Sequence, residues 1–157
     1  DRVLMAMQRA AFYAQGQYES VKTYVHGIAP NKPIHIGETG WSSKSIGLYG
    51  NNGSFATDQY KQALYYAAMR EWTDAEGISC FYFEAFDEQW KDSNHPDGSE
   101  NHFGLIALDG QAKYALWDLV DSGAFEGLTR GGRQITKSFE GDSVLMLQTV
   151  SAPKRRR

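Results

Sequence analysis

The chain carries a single cysteine, Cys80, so no intrachain disulfide can form and the thiol reads as a small buried hydrophobe. No apolar run approaches the roughly 20 residues a membrane helix needs, and the N-terminus lacks the charged, apolar and small-residue order of a signal peptide. Neither sign of charge prevails, since 16 Lys and Arg face 19 Asp and Glu for a formal net charge of -3. That balance offers no broad attraction for nucleic acid or an anionic membrane, and it suits a neutral partner such as a sugar. His-Glu-x-x-His, paired cysteines, clustered aspartates and glycine-rich phosphate loops are all missing, so the sequence calls for no metal and no other cofactor. The one basic run, Lys154-Arg155-Arg156-Arg157, reads as a solvated tail.

What the chain has is aromatic and apolar content. At 157 residues, 41% hydrophobic and 13% aromatic, it is long enough for one globular domain with a real core. Asp1-Arg2-Val3-Leu4 starts inside a helical pattern without an initiator methionine or a cap-like lead-in, as expected of a chain that begins mid-protein. Val3, Met7, Ala10, Ala11 and Ala14, then Tyr18, Val21, Val25 and Ile28 beyond Gly16, predict one kinked helix or two. Pro30-Asn31-Lys32-Pro33 stops that pattern, and Ile34-His35-Ile36-Gly37 reads as a short buried strand.

Glu38 follows at once, with Gly40-Trp41 behind it. A short apolar strand that reaches a glycine and then a carboxylate is how a barrel strand delivers a catalytic acid to its C-terminal rim. Strand alternation turns His35 away from Glu38, so His35 reads as a packed, hydrogen-bonded residue rather than a base. The loop from Ser42 to Ala56, rich in Ser, Gly and Asn, suits a substrate grip. Thr57 reads as the cap of a second helix, striped by Tyr60, Leu64, Ala67, Ala68 and Trp72 and closing near Gly77.

Ile78 to Phe86 forms the second strong strand pattern and runs into Asp87-Glu88-Gln89-Trp90-Lys91. Alternation places Tyr82, Glu84, Phe86 and Glu88 on one face. Two carboxylates among aromatics are poorly explained by core packing, because buried carboxylates need partners; a site that binds hydroxyls explains them better. Lys91 is placed to neutralise part of this acidic group. Pro96-Asp97-Gly98 reads as a turn, and Ala115, Leu116, Leu119 and Val120 as a helix ending at Gly123. From Leu128 the chain suggests a short hairpin or an extended strap, with Ile135, Lys137 and Phe139 alternating ahead of Val144-Leu145-Met146-Leu147.

Helix, strand, helix, strand, helix, with both strands ending in acidic loops, is a piece of parallel α/β architecture. Ile36-Gly37-Glu38-Thr39-Gly40-Trp41-Ser42, then Phe81-Tyr82-Phe83-Glu84-Ala85-Phe86-Asp87-Glu88-Gln89-Trp90-Lys91, then Glu100-Asn101-His102-Phe103-Gly104-Leu105, together resemble the C-terminal part of glycoside hydrolase family 17. These are β-1,3-glucanases and related glucanosyltransferases built on (β/α)8 barrels. The resemblance implies the C-terminal part of such a TIM barrel, about strands seven and eight with flanking helices, over residues 1–127. It also implies a short extended tail over 128–157, like that of bacterial members.

By the same resemblance Glu38 is the nucleophile of a retaining mechanism, and Glu88, Lys91 and Glu100 belong to the polar cluster around it. Trp41, Phe86 and Trp90 become sugar-stacking walls or their supports, and Glu84 a ligand for a glucose hydroxyl. The family's acid follows an Asn at the end of strand four, and this chain has no Asn-Glu. Strands one to six are therefore expected outside these residues, and the chain alone is expected to be inactive or weak. The implied partner is a β-glucan, reached outside the cell or in the periplasm. Three alternatives stay open: transglycosylation, a non-catalytic glucan-binding half-barrel, and self-association or association with the missing barrel portion.

Overall fold

The computed structural model describes residues 1–154, so Arg155 to Arg157 of the basic run lie outside the described residues. Its Lys154 is exposed, yet its backbone N–H donates to Ser54 O at 2.8 Å and its ammonium lies 4.2 Å from the Phe55 ring. Among the described residues no helix is long and apolar enough to cross a membrane.

Helix α1 runs unbroken from Arg2 to Ile28, through Gly16. Asp1 supplies the cap that the sequence reading did not find, its carboxylate accepting from the N–H groups of Val3 and Leu4. Only the first half of the expected stripe is fully buried, at Val3, Met7 and Ala11, whereas Val21 and Ile28 are exposed. Strand β1, Ile36–Thr39, lies two residues later than the apolar run suggested, because Ile34 and His35 precede the ladder. His35 is exposed and among the described residues makes no side-chain hydrogen bond, so the packed histidine is corrected to an exposed one.

Helix α2, Gln59–Glu76, is capped by Asp58 rather than Thr57, with Asp58 Oδ1 accepting from Lys61 N at 2.8 Å. It ends at Gly77 as expected. Its deepest face carries Lys61, Gln62, Tyr65, Met69 and Thr73, one step round from the apolar stripe read in sequence, and Ala67 is exposed. Met7, Ala11, Tyr65 and Met69 form a core onto which Leu64, Ala68, Trp72, Ile36, Trp41 and Tyr82 pack. This is the seam between α1, α2 and the sheet; full burial of a side chain such as Met69 contributes about 1.5–3 kcal/mol.

Strand β2, Cys80–Tyr82, pairs parallel with β1, with Ile36 opposite Cys80 and Thr39 opposite Tyr82. Cys80 is half-buried rather than buried. The ladder stops at Tyr82, followed by a cis Phe83–Glu84 peptide, so the alternation expected through Glu88 is not kept. Tyr82 packs edge-on against Tyr66 of α2, whereas Glu84 and Glu88 both reach Lys91. Phe86 makes an isolated parallel bridge with Ile106, which in turn bridges Ala112.

A second core joins Leu105, Ile106, Ala112, Leu116 and Ile135. It is covered by a 3-10 turn at Tyr114–Leu116 and helix α3, Trp117–Asp121, which closes before Gly123 as read. Strand β3, Gln111–Ala112, carries the next turn of chain into this core. Beyond it β4, Thr129–Arg130, and β5, Arg133–Gln134, make a hairpin, and the Gly131-Gly132 turn takes positive φ at both residues, as a tight hairpin requires. Strand β6, Thr136–Lys137, pairs parallel with β3. Val144 to Leu147 are not extended: Asp142 accepts from the N–H groups of Val144 and Leu145 and starts helix α4, Ser143–Gln148. Ile135 belongs to the same core as Leu105, so the tail is packed into the domain.

Candidate active site

Ile36 packs toward the helices, and Thr39 Oγ1 lies 2.8 Å from the hydroxyl of Tyr65 on α2. Two residues three apart share a face because the register between them is irregular. Glu38 is thereby left on the exposed side, and among the described residues its side chain has neither a hydrogen bond nor an ion pair. Gly40 is required by close approach, since a Cβ there would stand 1.8 Å from Phe83 O. Phe83 N donates to Thr39 O at 2.7 Å across the same gap, so the ends of β1 and β2 are clamped side by side.

Beyond β2, Lys91 draws the acidic residues together. Its ammonium donates to Glu84 Oε2 at 2.9 Å, lies 3.3 Å from Glu88 Oε2 and sits 3.5 Å from the centre of the Phe83 ring. Glu84 Oε1 is buried and has no partner among the described residues. Burial holds the Glu84 carboxyl above the usual carboxylate range despite the adjacent ammonium. Burial draws Lys91 down, but the hydrogen bonds and charges of Glu84 and Glu88 outweigh it and leave Lys91 above the usual lysine range.

The other residues singled out in sequence divide. Trp90 is 73% exposed beside Lys91, with its ring free to stack. Trp41 donates Nε1–H to Ala56 O at 2.9 Å and lies on Tyr65, which makes it half-buried support. Trp41 and Glu100 share a cavity of about 330 Å³ with Tyr49 and Phe103, apart from the Lys91 group. Arg130 lies over the Phe86 ring, 4.4 Å from its centre.

Sequence reasoning missed the residues that hold these loops. Gln62 Nε2 donates to the carbonyls of Trp41, Phe103 and Gly104 at 2.9 to 3.1 Å, tying both loops to α2. Asp87 and Lys113 form a buried ion pair at 2.6 Å, and Asn101 Nδ2 donates to the carbonyls of Asp92 and His95. Burial holds the Lys113 ammonium below the usual lysine range, although Asp87 opposes this. The one available signal was on α2, where Gln62, Tyr65, Met69 and Thr73 follow helical spacing beside the apolar stripe.

Comparison with known proteins gives this geometry a family. The model of glycosyl hydrolases family 17 matches residues 20–117, more than half of the chain. The glucan 1,3-beta-glucosidase of Arthroderma benhamiae is 35% identical over 88 residues, covering 52% of this chain and 27% of that protein. A glucan 1,3-beta-glucosidase of Candida albicans is 34% identical over 84 residues, covering 52% and 25%. Among solved structures, an endo-laminarinase from Formosa Hel1_33_131 superposes with a TM-score of 0.94 at 56% identity, over 99% of this chain and 40% of that one. An active-site mutant of Rhizomucor miehei beta-1,3-glucanosyltransferase in complex with laminaritriose gives a TM-score of 0.55 at 28% identity, over 69% and 36%. The chain thus spans about a quarter of the length of these curated relatives, and its mixed helices and parallel strands are those of a TIM-barrel family. It belongs to glycosyl hydrolases family 17.

Proposed function

We propose that this chain supplies the nucleophile side of a retaining β-1,3-glucan hydrolase, with Glu38 attacking the anomeric carbon. The observation that carries the reading is an exposed, unpartnered Glu38 at the end of β1, clamped beside a strand that leads into Glu84, Lys91 and Glu88. Attack forms a glycosyl ester on Glu38 and breaks the bond to the departing sugar, whose oxygen takes a proton from a second carboxylic acid. That acid then activates water, and retaining pairs stand about 5–5.5 Å apart. Glu84 and Glu88 are both held by Lys91, so the acid is assigned to barrel strands outside this chain.

In this reading residues 1–127 are the part of the barrel that contains strands seven and eight, and 128–157 form its tail. The exposed Leu4, Met5, Phe12 and Tyr13 of α1, with Phe81 of β2, receive the remaining β/α units. Coverage of only 40% of the Formosa endo-laminarinase supports this, as does the outer edge of β1, which pairs with no strand among the described residues. Glu84 binds a sugar hydroxyl, Trp90 stacks on a ring, and Trp41 and Glu100 line a neighbouring part of the cleft. The site of action is extracellular or periplasmic, where such polymers occur.

The test is reducing-sugar release from laminarin and laminarin binding, with Glu38→Gln alongside. In the enzyme completed by the barrel portion that carries the acid, turnover is expected to fall by more than about 10³-fold in the variant while binding stays within a few-fold. If the chain binds but does not cleave, it is a glucan-binding half-barrel awaiting its acid. Equal turnover in both proteins removes Glu38 as nucleophile. Products longer than the donor would identify transglycosylation, the reaction named for the Rhizomucor relative.

A further inference from the structure

Lys113, which follows β3, is 3% exposed, and its ammonium has three acceptors from three separate stretches of chain. Ser43 Oγ accepts at 2.7 Å in the loop after β1, Asp87 Oδ1 at 2.6 Å between Glu84 and Glu88, and His102 O at 3.3 Å at the close of the following loop. Ser43 in turn donates its N–H and its hydroxyl to that same His102 carbonyl, at 2.9 and 3.0 Å. Asp87 Oδ2 lies 3.5 Å from His102 Nδ1. Each ammonium hydrogen therefore has an acceptor, and Ser43 Oγ both accepts from Lys113 and donates onward.

A buried ion pair adds little stability that apolar packing would not, yet it fixes geometry, because each arm has a defined length and direction. Two of the arms end on the segments that carry the proposed catalytic and sugar-binding carboxylates, and the third on His102. None of the arms touches the exposed face where Glu38 stands. We propose that Lys113 is a positioning residue that sets the separation between the Glu38 segment and the Glu84–Glu88 segment. This inference rests on the functional reading above.

The test uses Ser43→Ala, Lys113→Met, and Lys113→Met combined with Asp87→Asn. The single lysine variant leaves Asp87 as an orphan buried charge and is prone to unfold; the double variant removes that charge and keeps the packing. Amide hydrogen exchange is read in segments 38–43 and 84–88, with α2 as the internal reference. In the double variant exchange is expected to rise roughly tenfold or more in both segments while α2 keeps its protection. In Ser43→Ala only segment 38–43 should respond. In the enzyme completed by the barrel portion that carries the acid, the double variant should lose roughly tenfold in kcat on laminarin with KM within about twofold.

Wild-type exchange and wild-type kcat in the double variant would overturn the proposal, because the lysine would then be a matter of stability alone. A uniform rise across α2 would overturn it equally. Should the unsubstituted chain neither bind nor cleave laminarin, the functional reading fails, and the exchange result by itself decides whether Lys113 holds the two segments.

Discussion

Asp87 and Glu84 stand three residues apart on one segment, each bonded to a lysine, and they are opposites. Asp87 is 4% exposed, its Oδ1 accepts from Lys113 at 2.6 Å, and its Oδ2 lies 3.5 Å from His102 Nδ1. Glu84 keeps a 14% exposed side chain, gives Oε2 to Lys91 and leaves Oε1 buried without a partner among the described residues. A buried carboxylate bonded to a buried ammonium is scaffold, and a buried oxygen without a partner calls for an explanation of its own, for which we propose a sugar hydroxyl at Glu84. The same contrast separates the loops, since Gln62, Asn101 and Ser43 satisfy backbone carbonyls while Glu38 and Trp90 face outward with nothing to satisfy.

The comparison breaks most sharply at Asp87. Asp87→Ala orphans the Lys113 ammonium and is expected to cost about 3–5 kcal/mol in urea unfolding; a loss below about 1 kcal/mol would mean that the pair is no brace. Next is Gln62→Leu, which removes the donor shared by three carbonyls. It should cost about 1–3 kcal/mol and loosen the Trp41 and Phe103 loops in hydrogen exchange.

Glu84→Gln should change stability near neutral pH by no more than about 1 kcal/mol, since it removes a charge that burial already disfavours. The folded carboxyl binds its proton more tightly than the unfolded one. Its contribution to stability is therefore full below the ordinary carboxylate range and declines as pH rises through the raised value. A series of melting temperatures against pH should show that decline in the parent chain and not in Glu84→Gln. Smallest in stability is Trp90→Ala, expected within about 0.5 kcal/mol of the parent. Laminarin affinity should fall several-fold in this variant, and unchanged affinity would remove Trp90 from the sugar surface.

Much of the site was legible where chemistry is local. Glu38 stood out because an apolar strand, a glycine and an acid are contiguous, and Lys91 because it follows Glu88 by three residues and Glu84 by seven. Helix ends were nearly legible: Thr57 and Asp58 both suit the cap that Asp58 makes, and Asp1 and Asp142 cap where no pattern marks them, because neighbouring polar residues compete for one cap and only the backbone direction decides. The helix Ser143–Gln148 was read as extended, since four successive apolar residues carry no period. Arg130, which covers the Phe86 ring, comes from the hairpin of the tail, and no pattern near Phe86 announces it.

By itself the sequence determined the alternation of helices and apolar strands, the acid at the end of β1, the acidic and aromatic run after β2, and the family resemblance that joins them. These depend on residues within a few positions of each other, where period, capping and turn chemistry act. Only the tertiary structure decided that Lys113 joins Ser43 to Asp87, that Gln62 ties two loops to α2, and that Glu84 Oε1 is left without a partner among the described residues. The partners in those contacts are tens of residues apart. Whether a buried polar atom is satisfied depends on which distant segments converge on it, and no local pattern encodes that.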